Sequence, residues 1–166
     1  MSGNKNYILD ATTIDKKLSR LALEVIENNI EEDEIIFVGI DSNGVVLAEH
    51  IRKMVEKESG VKTTLLTLTL DKKKPGKIEL SKEINFDDKI VIIVDDVSNS
   101  GKTLLYALKP FLEFHPKKIR TLVLVERSHS LFPISADYKG IQIATTLQEH
   151  IYVEVEGKKI MGAYLD

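Results

Sequence analysis

Two adjacent carboxylates, Asp95 and Asp96, close an apolar run, and Val97, Ser98, Asn99, Ser100, Gly101, Lys102 and Thr103 follow them. An acid pair repels phosphate, but it accepts hydrogen bonds from hydroxyls such as the diol of a ribose. A short turn of hydroxyl and amide side chains around one glycine, opening a helix, presents backbone N–H groups at the positive end of a helix dipole. That arrangement suits an anion, most naturally a phosphate. Acid pair and cradle side by side describe a sugar-phosphate site. One competing reading fails on spacing. Gly101-Lys102-Thr103 ends like a nucleotide-triphosphate P-loop, which requires a glycine five residues earlier, and this chain has Asp96 there.

The elements that must carry these groups follow from periodicity. Residues 91–94 are β-branched and apolar, the mark of a strand buried on both faces. Leu104, Leu108, Phe111 and Leu112 then recur at helical spacing. Upstream, Thr12 and Asp15 are spaced as a capping box, and Ile14, Leu18, Leu21 and Val25 form a stripe running to Asn28 and Asn29. A strand over 35–40 leads into a turn over 39–44, and a second helix carries Leu47, Ile51, Met54 and Val55 to about Gly60. Residues 65–70 alternate leucine and threonine as a half-buried strand, residues 71–77 read as a solvated basic turn, and 78–84 as its return arm. A buried strand over 119–125 ends in a loop over 126–130, and short strands near 141–143 and 151–155 finish the chain. Strands alternating with helices predict a parallel, right-handed α/β sheet with helices on both faces. Ligands of such sheets lie at the carboxyl ends of the strands, where the segments 39–44, 95–103 and 126–130 would converge.

Composition narrows the function classes. The 166 residues suit one domain with a real core, and 23 basic against 26 acidic residues give a net charge of −3. That balance gives no general attraction to nucleic acid or anionic lipid. The chain has no cysteine, which excludes disulfides, thiol catalysis and cysteine-bound metal, and its 4 histidines are scattered. No apolar run at the N-terminus resembles a signal peptide and none spans a bilayer, so a cytoplasmic protein with no membrane association is expected.

The stretch 91–104 closely resembles the phosphoribosyl pyrophosphate (PRPP) motif of the type I phosphoribosyltransferases: an apolar strand, two acids, then Thr/Ser-Gly-Arg/Lys-Thr. Nearly the whole chain is similar to one branch of them, the bifunctional pyrimidine-operon attenuator/uracil phosphoribosyltransferases. The similarity lies in Ile8-Leu9-Asp10 before the first helix and in the strand end Val38-Gly39-Ile40. It is clearest in Val125-Glu126-Arg127-Ser128-His129-Ser130-Leu131-Phe132-Pro133-Ile134-Ser135-Ala136-Asp137-Tyr138. The resemblance implies one phosphoribosyltransferase-like domain over 1–166, with a central, mainly parallel sheet flanked by helices, a small hood and a hairpin loop. It implies pyrimidine salvage, uracil and PRPP giving UMP and pyrophosphate, with magnesium carried by PRPP and no direct protein ligand to the metal. Asp95 and Asp96 would be the catalytic pair on the ribose, and Ser98, Asn99, Ser100, Gly101, Lys102 and Thr103 would hold the 5′-phosphate. Asp41, Ser42, Asn43 and Gly44 would stand where the family binds pyrophosphate. Val97, Arg127, Ser128 and His129 would form the base pocket, Arg127 meeting base or phosphate or else pairing with a surface acid. His129 reads as a structural polar residue. A homo-oligomer, dimer or tetramer, is implied as well.

Two departures sustain an alternative. The family carries Lys-Thr-Arg where this chain has Asp41-Ser42-Asn43, and its flexible loop is rewritten here as Thr69-Leu70-Asp71-Lys72-Lys73-Lys74. Losing two cations and gaining an acid beside a polyanion forfeits charge-assisted bonds worth roughly 1.5–3 kcal/mol each. The alternative is therefore a weakened or inactive nucleotide-binding regulator that senses UMP or PRPP. Lys72, Lys73 and Lys74 either cover the phosphates or form a solvated loop. An RNA-binding attenuator ranks lower, because Lys16, Lys17 and Arg20 read as the solvated side of their helix and the chain is net acidic.

Overall fold

The computed structural model describes residues 5–166. The reading of the N-terminal stretch as free of a leader falls partly on residues 1–4, outside the described residues. In chain order the elements are β1 (Asn6–Asp10), α1 (Ala11–Glu27), β2 (Glu34–Ile40), α2 (Asp41–Ser59), β3 (Lys62–Thr69), β4 (Glu79–Leu80) and β5 (Ile90–Ser98). They continue with α3 (Lys102–Ala107), a 3-10 turn (Lys109–Phe111), β6 (Lys118–Arg127), β7 (Tyr138–Ile143), β8 (Ile151–Glu156) and β9 (Lys159–Leu165).

A six-stranded sheet runs in the order β4-β3-β2-β5-β6-β7. Every neighbouring pair is parallel except β3–β4, where the hairpin turns back. The central strands bury both faces, which is why their sequences are apolar runs rather than alternations. In β2, Ile35 and Phe37 face one core with Leu18, Leu21 and Val25 of α1 and Leu47 and Ile51 of α2. Ile36 and Val38 face a second core with Leu104, Phe111 and Phe86. Phe86 meets Phe111 edge to face at a centroid distance of 4.9 Å, a geometry that suits the ring quadrupoles. Helices thus cover both faces of a mainly parallel sheet, as the element pattern predicts. Among the described residues no helix is long and apolar enough to cross a membrane.

The strand order reverses between β2 and β5. The chain leaves β2 through α2 toward β3 on one side, and β5 continues to β6 on the other. A crevice opens at such a switch point, beyond the carboxyl ends of the two strands. A second, three-stranded antiparallel sheet, β1-β9-β8, stands beside it as a hood.

The structure corrects several boundaries. Asp10, not Thr12, caps α1: its carboxylate accepts the Thr13 N–H at 2.7 Å, so Thr12 and Asp15 make no capping box. The helix after the acid pair is only Lys102–Ala107 before the 3-10 turn. The return arm over 78–84 is a strand only at Glu79–Leu80, with Ser81 adding two bonds to Thr67, its N–H donating to the carbonyl and its Oγ accepting the N–H, each at 2.9 Å. The strand near 151–155 does not finish the chain, because β9 follows and pairs with both β8 and β1. Gly162, in the middle of β9, breaks the pattern that would reveal it. Lys17 and Arg20 are not a free face either. Lys17 Nζ donates to the Gly140 carbonyl at 3.2 Å, and Arg20 Nη2 to the Lys139 and Gly140 carbonyls at 2.7 and 2.9 Å, tying α1 to β7.

Candidate functional site

β5 runs four residues past its apolar stretch, to Ser98, so both acids are strand residues near its carboxyl end. Asp95 is 1% exposed. Its Oδ1 accepts the Asp96 N–H at 2.9 Å, and both of its oxygens receive Lys72 Nζ at 3.2 Å. Burial, followed by the Asp96 charge, pushes the Asp95 carboxyl well above the ordinary carboxylate range, against the pull of Lys72. Asp96 Oδ1 accepts the Val97 N–H at 2.9 Å, Lys72 lies 3.9 Å from that oxygen, and Oδ2 accepts Asn43 Nδ2 at 3.0 Å.

Lys72 belongs to the segment read as a solvated turn, and local chemistry explains its reach. Asp71 Oδ1 accepts the N–H groups of Lys73 and Lys74 at 2.9 and 3.3 Å, which curls the backbone. Lys102 Nζ donates to the Lys73 carbonyl at 3.1 Å and pins the hairpin to α3. Between those two anchors the Lys72 side chain extends onto the acid pair. Burial draws its ammonium down, but Asp95, Asp96 and Asp41 together outweigh that and hold it above the ordinary lysine value. The sequence signal was present, since a lysine just past one strand end can reach two acids at the end of the strand one place beyond its neighbour. It became readable only once β3 and β5 were known to flank β2.

The segment 41–44 is not a loop. It is the first turn of α2, which starts directly after β2 with Asp41 at φ 46°, in the left-handed region that favours glycine. The Asp41 charge lies in that first turn, at the positive end of the helix dipole. Gly44 has a packing reason: a Cβ there would lie 2.6 Å from the Val94 carbonyl oxygen and 3.3 Å from the Asp95 Cα. The glycine lets α2 close against β5 directly behind the acids. Asn43 bonds Asp96 on one side and the Val153 carbonyl, at 3.2 Å, on the other, joining the hood to the acid pair.

After the acids the chain turns through Asn99 and Ser100, and Gly101 takes φ 85° before α3. A side chain at Gly101 would be strained, and its Cβ would meet Ile134 Cγ2 at 2.8 Å. The Ser100 carbonyl accepts the N–H groups of Leu131 and Phe132 at 2.9 and 3.0 Å. The run 125–138 therefore braces the turn from behind. Its own anchor is buried Glu126, whose carboxylate receives the Ala136 N–H and Lys139 Nζ, each at 2.6 Å.

Around these groups lies a cavity of about 400 Å³. It is lined by Asn43, Lys72, Asp96, the turn from Val97 to Gly101, Thr103 and Leu104, and by Ile151, Tyr152 and Val153 of β8. The first-turn N–H groups of a helix have no intrahelical acceptors, which suits an anion at this turn, although the Lys102 N–H is taken by Ser100 Oγ at 3.2 Å. Asn99 Oδ1 is buried and makes no hydrogen bond among the described residues. The structure brings Asp96, Val97, Ser98, Asn99, Ser100, Gly101, Thr103 and Asn43 together, with Asp95 behind them. It does not bring Arg127, Ser128 and His129 to this cavity. Arg127 lies at the end of β6 and donates to the Thr146 carbonyl, the Ser128 N–H is bound by the Ile143 carbonyl at 2.8 Å, and His129 is exposed. The wall facing Val97 comes instead from β8, which sequence reasoning passed over because nothing in Ile151-Tyr152-Val153 marks it as more than a strand.

Comparison with known proteins gives a consistent result. The family described as the phosphoribosyl transferase domain matches residues 5–156. The chain is 37% identical over 163 residues to the bifunctional protein PyrR of Clostridium acetobutylicum, covering 92% of both chains. It is 35% identical over 161 residues to that of Limosilactobacillus fermentum, covering 90% of both. Among solved structures, its fold is similar to a hypoxanthine-guanine phosphoribosyltransferase of Bacillus anthracis (TM-score 0.77, 22% identity, 96% of both chains). It is likewise similar to the hypoxanthine phosphoribosyltransferase of Trypanosoma cruzi (TM-score 0.79, 14% identity, 97% of both).

Proposed function

This chain belongs to the phosphoribosyl transferase domain family, and from that premise we infer that it is a PRPP-dependent phosphoribosyltransferase that converts uracil and PRPP to UMP and pyrophosphate. One observation carries the assignment of parts. Asp96, backed by buried Asp95, borders one cavity with Ser98, Asn99, Ser100, Gly101 and Thr103 of the turn, at the switch point between β2 and β5. In this reading Asp95 and Asp96 accept the ribose hydroxyls, and the turn with the start of α3 receives the 5′-phosphate. Val97 and the strand wall of Ile151, Tyr152 and Val153 flank the base, with β8 offering backbone groups to the uracil edges. Arg127 acts at one remove by holding the segment around Thr146.

The bond from C1 to pyrophosphate breaks through a dissociative, oxocarbenium-like transition state, so the protein's part is to position the ribose and to balance charge. The acid pair fixes the ring and lies where positive charge develops on it. Among the described residues no cluster of three or more carboxylates and histidines could hold a metal alone. The acid pair, which already attracts the Lys72 ammonium, would instead support indirectly a magnesium ion held by PRPP oxygens and water. Magnesium bound with PRPP would neutralise charge on the departing pyrophosphate. A homo-oligomer and a cytoplasmic setting belong to the same reading.

A second reading is favoured by one feature. No cation stands at the start of α2, because Asp41 is an acid and the Asn43 amide is committed to Asp96 and Val153. A regulator that binds nucleotide without turnover would have this site. Replacing Asp96 by Asn tests the assignment common to both. Affinity for UMP and for PRPP should fall by roughly tenfold or more, the value of one or two charge-assisted bonds. Unchanged affinity in calorimetric titration would remove Asp96 from the ribose site.

A further inference from the structure

The charges around the cavity do not match the proposed ligand. Asp95, Asp96 and Asp41 bring three acids to the ends of β5 and β2, while PRPP carries a phosphate and a diphosphate. Among the described residues lining the cavity, Lys72 is the only cation. The ammonium of Lys102 is turned away onto the Lys73 carbonyl, and Arg127 is held by Thr146. Lys72 meanwhile occupies the hydroxyl-accepting side of the acid pair, with Nζ 3.2 Å from both oxygens of Asp95.

A ribose whose hydroxyls bond Asp95 and Asp96 must take those carboxylate positions from the ammonium. Lys72 then has to move, and its surroundings leave it room. Its side chain is 44% exposed and its stem has four carbons, so the ammonium can swing while the hairpin stays bonded to β3 through Glu79, Leu80 and Ser81. The nearest new anionic partner would be the group on C1 of the same ribose. For PRPP that group is a diphosphate, whereas for UMP it is a neutral base. Resting on the transferase reading, we propose that Lys72 is the site's own exchangeable cation, handed from the acid pair to the diphosphate as ribose enters. By this exchange it selects ribose 5-phosphates bearing an anionic group at C1 over nucleoside monophosphates. It supplies from the hairpin the positive charge that the first turn of α2 lacks. Lys72 is thus a specificity residue for the leaving group.

The two ligands separate this role from simpler ones. Isothermal titration of the full-length protein with magnesium–PRPP and, separately, with UMP should be run on the native chain and on Lys72→Met and Lys72→Arg. Thermal unfolding of each variant reports folding. The expected result for Lys72→Met is a loss of roughly tenfold or more in PRPP affinity, the value of one charge-assisted contact, with UMP affinity unchanged or raised. Lys72→Arg should recover most of the PRPP preference. Equal losses for both ligands in Lys72→Met would overturn the proposal and make Lys72 only a support for the acids. Equal gains would also overturn it, leaving Lys72 as a plug. A native protein that binds neither ligand would instead refute the transferase reading itself.

Discussion

Burial is the main reason the Asp95 carboxyl is raised well above its ordinary range, and the adjacent Asp96 charge adds to it. A group whose folded pKa exceeds its unfolded value binds its proton more tightly in the fold. Stability is then fully present below the unfolded carboxylate range and is lost as pH rises through the folded value. Above the unfolded carboxylate range the fold therefore loses the stability that a protonated Asp95 contributes, and Asp95→Asn, which keeps the shape without the charge, should stabilise the protein there. The gain should shrink as pH is lowered below about 4, where both states are protonated. Urea unfolding at pH 7 and pH 3.5 checks this, and a destabilised variant at pH 7 would show that the Lys72 contact outweighs the burial. The same substitution should weaken ribose binding, so the acid is kept at a cost in stability. The acids and the turn after them were legible from residue type and order alone. Lys72 was not, because its role depends on which strand lies beside which.

At the scale of elements, the junction of β2, α2 and β5 sets the geometry. Gly44 allows α2 to approach the Val94 carbonyl and the Asp95 backbone. A methyl group there must push the helix outward, so Gly44→Ala should cost roughly 1–3 kcal/mol of overpacking. It should also lower UMP affinity, because the helix carries Asn43 against Asp96. Denaturant unfolding and titration together test this, and a variant with native stability would show that the helix yields without cost. Central strands and both long helices were readable because burial on two faces leaves long apolar runs and burial on one leaves a 3.6-residue stripe. The start of α2 was not, since Gly39-Ile40-Asp41-Ser42-Asn43-Gly44 has the composition of a turn. Tertiary contacts nevertheless hold Asp41 at positive φ and begin the helix at once.

Over the whole molecule, the parallel sheet supplies the switch-point crevice and the hood closes one side of it. Tyr152 stacks on Tyr164 across β8 and β9 at 5.5 Å, and Tyr7 of β1 packs on the other side of Tyr164 at 5.6 Å. Strands from the two ends of the chain thereby build the hood, and β8 alone of them lines the cavity. The sheet architecture was legible from alternating strands and helices. The hood strands were not separable from it, because β1 is short and β9 is interrupted by glycine, so neither shows a pattern before its partners are known. Acids, turn and hood together serve a transfer reaction. Incubating the purified protein with uracil, PRPP and magnesium, and following both products by chromatography, tests it most directly. UMP and pyrophosphate should form in equal amounts, and neither should form when PRPP is omitted. Tight UMP binding with no product formed would contradict it, and would make this chain a nucleotide sensor on a transferase fold.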